Sequence, residues 1–191
     1  AGSLRDSRRF FAETAPDRNV VSWNTMIGGY AQAGETSEAC ALFGEMRRQG
    51  VLADVFTFVS LLLVCSSEGN LEVGRLVHCH MLASGSRVDL ILGNALVDMY
   101  GKCGDLWMAR RCFDVMPIKN VVSWTSMLCA LAKHGSVDAA RDWFEQMPER
   151  NIVSWNAMIS CYVQGGRFRE TLGIYNRMKS LGLTPDEATL A

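Results

Sequence analysis

"NVVSWNTMIGGYAQAG", residues 19–34, returns as "NVVSWTSMLCALAKHG" at 120–135 and again as "NIVSWNAMISCYVQGG" at 151–166. The Asn, two aliphatic residues, the Ser, the Trp, a Met and the closing Gly keep their places. The residue after the Trp does not: it is Asn24, then Thr125, then Asn156. In the middle copy Trp124, Met127, Leu128 and Leu131 fall at i, i+3, i+4 and i+7, which is one face of a helix. The stretch therefore reads as an amphipathic helix whose buried face is kept and whose polar residue varies.

The closing Gly extends the register over the whole chain. Gly34, Gly69, Gly104, Gly135 and Gly166 are separated by 35, 35, 31 and 31 residues. Met46, Met81, Met116, Met147 and Met178 each follow their Gly by 12 residues. Between them recurs an apolar pair: Leu42-Phe43, Val77-His78, Cys112-Phe113, Trp143-Phe144 and Ile174-Tyr175, with His78 in an aromatic place. Ala140, Trp143, Phe144 and Met147 give the spacing of a second helix, which Ser136 can cap, as Asn70 and Asp105 can in their units. Pro117 and Pro148 end two of these helices. The other units close on "GVLAD", "GSRVD" and "GLTPD", each with a Gly suited to a helix C-terminus.

Five two-helix units follow: 20–54, 55–89, 90–120, 121–151 and 152–186. Residues 1–19 fit the second helix of a preceding unit, and 187–191 fit the start of another. Such a unit cannot bury its apolar face alone, so neighbours must stack. The expected fold is all-α, an α-solenoid of helix-turn-helix repeats forming one array, with the first helices along a concave face.

Composition narrows the function classes. A net charge of −1 and a pI near 6.4 give no global electrostatic case for nucleic acid, though a local basic stripe fits inside a neutral total. Seven cysteines, odd in number and without C-x-x-C spacing, read as small hydrophobes of a reducing compartment. The run "VFTFVSLLLVC" is shorter than the about 20 residues a bilayer span needs, so no membrane role is expected. The chain opens within a charged helical pattern and without an initiator Met, as a fragment of something longer would.

The units resemble pentatricopeptide repeats. Unit length, the Gly, the Met and "VVSWN" all agree, and the mixture of 35- and 31-residue units is similar to the P, L and S variants of that family. Units 20–54 and 152–186 look P-type. "FTFVSLLLVCSSEGNLEVGRLVHCHMLASG" resembles an L-type unit (55–89), and "GNALVDMYGKCGDLWMARRCFDVMPIKN" an S-type unit (90–120), followed by a second of that kind at 121–151. The tetratricopeptide repeat, a protein-binding solenoid, shares Trp23, Tyr30, Ala39 and Phe43, but Ile27 and Met46 stand where it carries small residues, and no unit is 34 long.

The resemblance implies a right-handed superhelix that reads single-stranded RNA at one base per repeat. It assigns base choice to the fifth and last residues of each unit: Asn24 with Asp54 for U, Asn94 with Asn120 for a pyrimidine, Thr125 with Asn151 for A, and Asn156 with Asp186 for U. Val59 with Asp89, in the L-type unit, is expected to read nothing. Read from N-terminus to 5′ end, the expected target is 5′-U-N-Y-A-U-3′. Amides and hydroxyls suit a base edge because they donate and accept; read singly, each would sooner be a helix cap or a solvated surface side chain, and it is their recurrence in phase that favours a reader. The second residues Val21, Ile91, Val122 and Val153 are implied to wedge between bases, with core packing as the alternative; in the L-type unit the same place holds Phe56. Lys102 and Lys133, two before their Gly, are candidate phosphate contacts, or plain surface lysines.

Arrays of mixed units resemble plant organellar C-to-U RNA-editing specificity factors. That implies a mitochondrial or chloroplast location, a deaminase domain beyond residue 191, and accessory editing proteins docking through the L-type unit. The rival reading is a scaffold that holds a peptide. No catalytic residues, cofactor, metal site or small-molecule substrate is expected in this segment. "HCHM" at 78–81 points its side chains in different directions around a helix and so cannot converge on one ion. Neither a phosphate loop nor the zinc deaminase signature occurs. The five Trp and ten Met read mostly as core.

Overall fold

The computed structural model describes residues 19–183 together with Phe11. Asp186, and the partial units expected at 1–19 and 187–191, lie outside the described residues apart from Phe11 and Asn19. Ten helices and no strand are found among the described residues. They are α1 (Val20–Gln32), α2 (Thr36–Arg48), α3 (Val55–Glu68), α4 (Leu71–Ala83), α5 (Leu90–Lys102), α6 (Leu106–Val115), α7 (Val121–His134), α8 (Val137–Gln146), α9 (Ile152–Gln164) and α10 (Phe168–Ser180). Each odd-numbered helix lies against the next odd-numbered one. Each even-numbered helix packs on its own partner and, up to α8, on the odd helix that follows. The result is an α-solenoid: one layer of stacked odd helices backed by a layer of even ones.

Aromatic residues carry the stacking. A Phe of an even helix meets the Trp near the start of the next odd helix edge to face: Phe113 with Trp124, centroids 5.0 Å apart, and Phe144 with Trp155 at 4.9 Å. Phe11 meets Trp23 in the same way at 4.8 Å. Such edge-to-face pairs contribute about 0.5–1.5 kcal/mol beyond the area they bury. Trp23, Trp143 and Trp155 are buried, as the spacing requires, whereas Trp107 points outward and stacks on the Arg111 guanidinium. Cys65, Cys112 and Cys161 pack as small hydrophobes; Cys79 and Cys129 depart from that expectation and are exposed.

Caps set the register of every odd helix. Asn19, Asp54, Asp89, Asn120 and Asn151 each accept the backbone N–H three residues on, which contributes about 1 kcal/mol per helix. Asn70, Asp105 and Ser136 cap α4, α6 and α8. The shorter spacing at 104–135–166 has a local cause. Helices α6 and α8 stop after 10 residues, where Met116 and Met147 turn extended ahead of Pro117 and Pro148. Lys119 and Arg150 then donate to the last carbonyls, Lys119 Nζ to Met116 O at 2.7 Å and Arg150 Nε to Phe144 O at 3.0 Å. After α2, by contrast, Gly50 adopts φ 74°, which lets Val51 N–H reach back to Met46 O.

Candidate nucleic-acid interface

The odd helices bury one face and leave the other open. In α7 the open stripe is Val122, Ser126, Cys129 and Lys133; in α5 it is Ile91, Ala95, Asp98 and Lys102. The second residue of each unit begins this stripe. Val21 is 66% exposed, Phe56 71%, Ile91 56%, Val122 48% and Val153 51%. Core packing, the alternative reading of these side chains, is thereby excluded. Because the odd helices stack side by side, the five form a row of uncovered apolar groups, one per unit.

Beside this row the fifth and last residues come together, although 26 to 30 positions separate them. Asn24 Nδ2 donates to Asp54 Oδ1 at 2.8 Å. Asn94 Nδ2 faces Asn120 Oδ1 at 3.4 Å. Thr125 Oγ1 donates to Asn151 Oδ1 at 3.3 Å. The last residue of each pair is also the N-cap of the next odd helix, so cap and pairing share one oxygen. Asn156 is half-buried at the same place in α9; its expected partner Asp186 lies outside the described residues. Val59 makes no such contact with Asp89, whose side chain accepts the capping bond from Leu92 N–H at 2.9 Å.

Two features were not anticipated. Thr125 is only 7% exposed, tucked beneath Asn151, whereas Asn24 and Asn94 are half-buried. A hydroxyl from the third residue of the following unit also joins two of the junctions. Thr57 Oγ1 donates to Asn24 Oδ1 at 2.5 Å, and Ser123 Oγ to Asn94 Oδ1 at 2.5 Å. The signal was present as N-V-V-S, D-V-F-T and N-I-V-S, a hydroxyl three residues after each cap.

The two lysines sit in grooves between neighbouring odd helices but differ in charge balance. Lys102 Nζ pairs with Asp98 Oδ2 at 2.9 Å, an oxygen that also accepts from Ser66 Oγ at 2.9 Å. Lys133 has no carboxylate at ion-pair distance among the described residues, so its charge is the less compensated. In the "HCHM" stretch His78 bonds Tyr100 OH at 2.9 Å, while His80 faces Arg47. No grouping of three metal-ligating side chains occurs among the described residues, and no helix there is long and apolar enough to cross a membrane.

Family models fit this repeat directly. The PPR repeat family model matches residues 18–67 and 150–190, and the PPR repeat model matches 94–121 and 122–152. The chain belongs to the pentatricopeptide repeat family. It is 36% identical over 186 residues to a mitochondrial pentatricopeptide repeat-containing protein of Arabidopsis thaliana, covering 97% of this chain and 28% of that protein. A second mitochondrial member from the same plant is 42% identical over 189 residues, covering 99% of this chain and 28% of the relative. A chloroplastic one is 41% identical over 119 residues, 62% of this chain and 23% of the relative. The chain thus spans under a third of these pentatricopeptide repeat relatives. Among solved structures, the pentatricopeptide repeat protein PPR10 in complex with an 18-nt psaJ RNA element superposes with a TM-score of 0.85. The identity is 23%, over 98% of this chain and 29% of that one, a likeness that speaks to fold.

Proposed function

We propose that this segment binds single-stranded RNA sequence-specifically, one base per unit, with the fifth and last residues of each unit as the reader. The observation that carries the reading is the recurrence of one arrangement. Asn24–Asp54, Asn94–Asn120 and Thr125–Asn151 each place a small polar pair next to an exposed aliphatic residue of the stacked layer. A base could stack against the aliphatic row and meet the polar pair at its edge. PPR10 was crystallised with RNA on the same fold, which supports the class of ligand.

The units are assigned as before: 20–54 and 152–186 P-type, 55–89 L-type, 90–120 and 121–151 S-type. The target is 5′-U-N-Y-A-U-3′, with the Val59 unit silent. The mixed unit lengths favour an editing specificity factor, and relatives named mitochondrial and chloroplastic favour an organelle. The deaminase step belongs to a part of the protein other than this segment. Accessory proteins dock through the L-type unit, where α4 leaves Leu76 and Leu82 exposed. Lys133 is the stronger phosphate contact, because Asp98 neutralises Lys102.

The fourth nucleotide gives the sharpest test, since Thr125 with Asn151 alone calls for a purine. The double change Thr125→Asn and Asn151→Asp copies Asn24–Asp54, and Ser154 stands where Thr57 does at that junction. Thr125 is buried, so the larger Asn must displace its cover slightly. Competition binding at fixed salt is expected to show wild type preferring A, and the variant preferring U, by about 1–3 kcal/mol by analogy with base readout in DNA. If both rank A and U alike, residues 125 and 151 are not the readers.

A further inference from the structure

Asn24 is held at both ends of its amide. Its Nδ2 donates to Asp54 Oδ1 at 2.8 Å, and its Oδ1 accepts from Thr57 Oγ1 at 2.5 Å. Thr57 belongs to the following unit and sits in the first turn of α3. Its hydroxyl accepts from Asp54 N–H at 3.1 Å, which leaves one proton to give. Asp54 Oδ1 is 3.1 Å away, so the shorter contact, to Asn24, takes that proton. Turning the amide over would set its carbonyl oxygen against the Asp54 carboxylate and cost both bonds.

The next amide junction repeats this geometry. Ser123 Oγ accepts from Asn120 N–H at 3.2 Å and donates to Asn94 Oδ1 at 2.5 Å. Where the fifth residue is not an amide, the arrangement is absent. Beside Thr125, Ser154 Oγ donates instead to Asn151 O at 2.8 Å. Beside Val59, the third residue of the following unit is Leu92, which has no hydroxyl. In the sequence, Asn156 is matched by Asp186 and Thr189, both outside the described residues.

We propose that Thr57 is a specificity-determining positioning residue that locks the Asn24 amide of the preceding unit in one orientation; at Asn94, assigned to either pyrimidine, the amide is held more loosely, its Nδ2 standing 3.4 Å from Asn120 Oδ1. The inference rests on the base reading proposed above. A locked amide shows one N–H and one oxygen lone pair in fixed order. An amide free to turn shows either group at the same point. It then accepts a base edge that donates, such as N3–H of U, and one that accepts, such as N3 of C, nearly alike. The hydroxyl thus converts a polar contact into a choice between U and C.

The test compares Thr57→Val, which keeps shape and loses both the proton given to Asn24 and the acceptor for Asp54 N–H, with Thr57→Ser, which keeps both functions. Ser154→Ala is the structural control, because it removes the same hydroxyl, with its bond from Asn151 N–H, from a junction whose fifth residue, Thr125, is not an amide. The N-terminus of α5, capped by Asp89 with Leu92 at the third place, shows that an odd helix forms without this hydroxyl. Affinities are measured at fixed salt for RNAs with U or C at the first nucleotide. In Thr57→Val the preference for U over C falls about three- to tenfold, the loss of one net hydrogen bond. In Thr57→Ser and Ser154→Ala it is retained. If Thr57→Val weakens binding to both RNAs equally, the lock is overturned while the base reading stands. If wild type binds RNA with no preference at that nucleotide, the reading by Asn24 fails and the lock with it. A second measurement uses no RNA. The side-chain amide protons of Asn24, identified by their loss in Asn24→Ala, exchange with solvent several-fold faster in Thr57→Val; equal rates overturn the proposal.

Discussion

Asp54 Oδ1 accepts from the Thr57 backbone N–H at 3.0 Å and from Asn24 Nδ2 at 2.8 Å, so one atom starts a helix and anchors its neighbour's polar residue. From the sequence the cap and the reader were alternatives for that residue. They proved compatible in geometry because a carboxylate oxygen has two lone pairs. Which side chains recur was legible; which of them meet across a junction was not, since contacts between helices leave no mark in spacing. Nothing in the spacing showed that Thr125 lies under Asn151, buried. His78 is a second case of an unusual residue in a regular place. Burial lowers its pKa below the ordinary value while it bonds Tyr100 OH. As pH falls, the unfolded chain therefore takes up the proton first. The stability that neutral His78 contributes is complete above about pH 6.5 and is lost as pH falls from there through the lower folded-state pKa. His78→Phe restores the aromatic of the other units and removes this dependence. Melting temperatures at pH 7.5 and 5.5 should fall less far apart in the variant than in wild type; an unchanged difference would exclude His78 as the source.

At the scale of helices, apolar spacing and caps determined nearly everything that the sequence showed. Period, cap and breaker are local properties, and each of α1 to α10 has at least two of them. How closely neighbouring helices approach is not local. A Cβ built on Gly101, in α5, would lie 2.7 Å from the Cβ of Ala130 in α7, and neither group can swing away. Gly44, in the middle of α2, has open space around it. Gly101→Ala should therefore destabilise by about 1–3 kcal/mol through overpacking. Gly44→Ala should stabilise by about 0.5–1 kcal/mol by stiffening the unfolded chain. Urea unfolding of the two variants checks the contrast; equal shifts would mean that the two odd helices do not touch at Gly101. Gly135 shows the same limit of sequence reading. It aligns with Gly34 and Gly69, whose φ values are 76° and 67°, yet it is extended at φ −97°, although α7 and α3 both run to the residue before their Gly.

At the scale of the whole array, the main helix contacts among the described residues lie within a unit or between one unit and the next. Side-chain bonds follow the same step, as in Arg75 to Asp105 at 2.7 Å and Arg167 to Asp138 at 2.8 Å. Stability in such an array is a sum of unit and junction terms. A mild core change at one end should thus be felt nearby only. Ile159→Val, costing about 1 kcal/mol, should speed amide exchange in α7 to α10 by close to fivefold and leave α1 and α2 unchanged. Uniform acceleration along the chain would instead indicate a single cooperative block. The sharing of the cap oxygen has a further consequence for what such an array can spell. If the last residue of a unit takes part in choosing a base, its alphabet is restricted beforehand to the residues that can start a helix: Asn, Asp, Ser and Thr. A letter outside that set would cost the next unit about 1 kcal/mol at its helix start. New specificities are therefore reached more cheaply by rewriting the fifth residue, and the vocabulary of the array is bounded by helix initiation before any RNA is met.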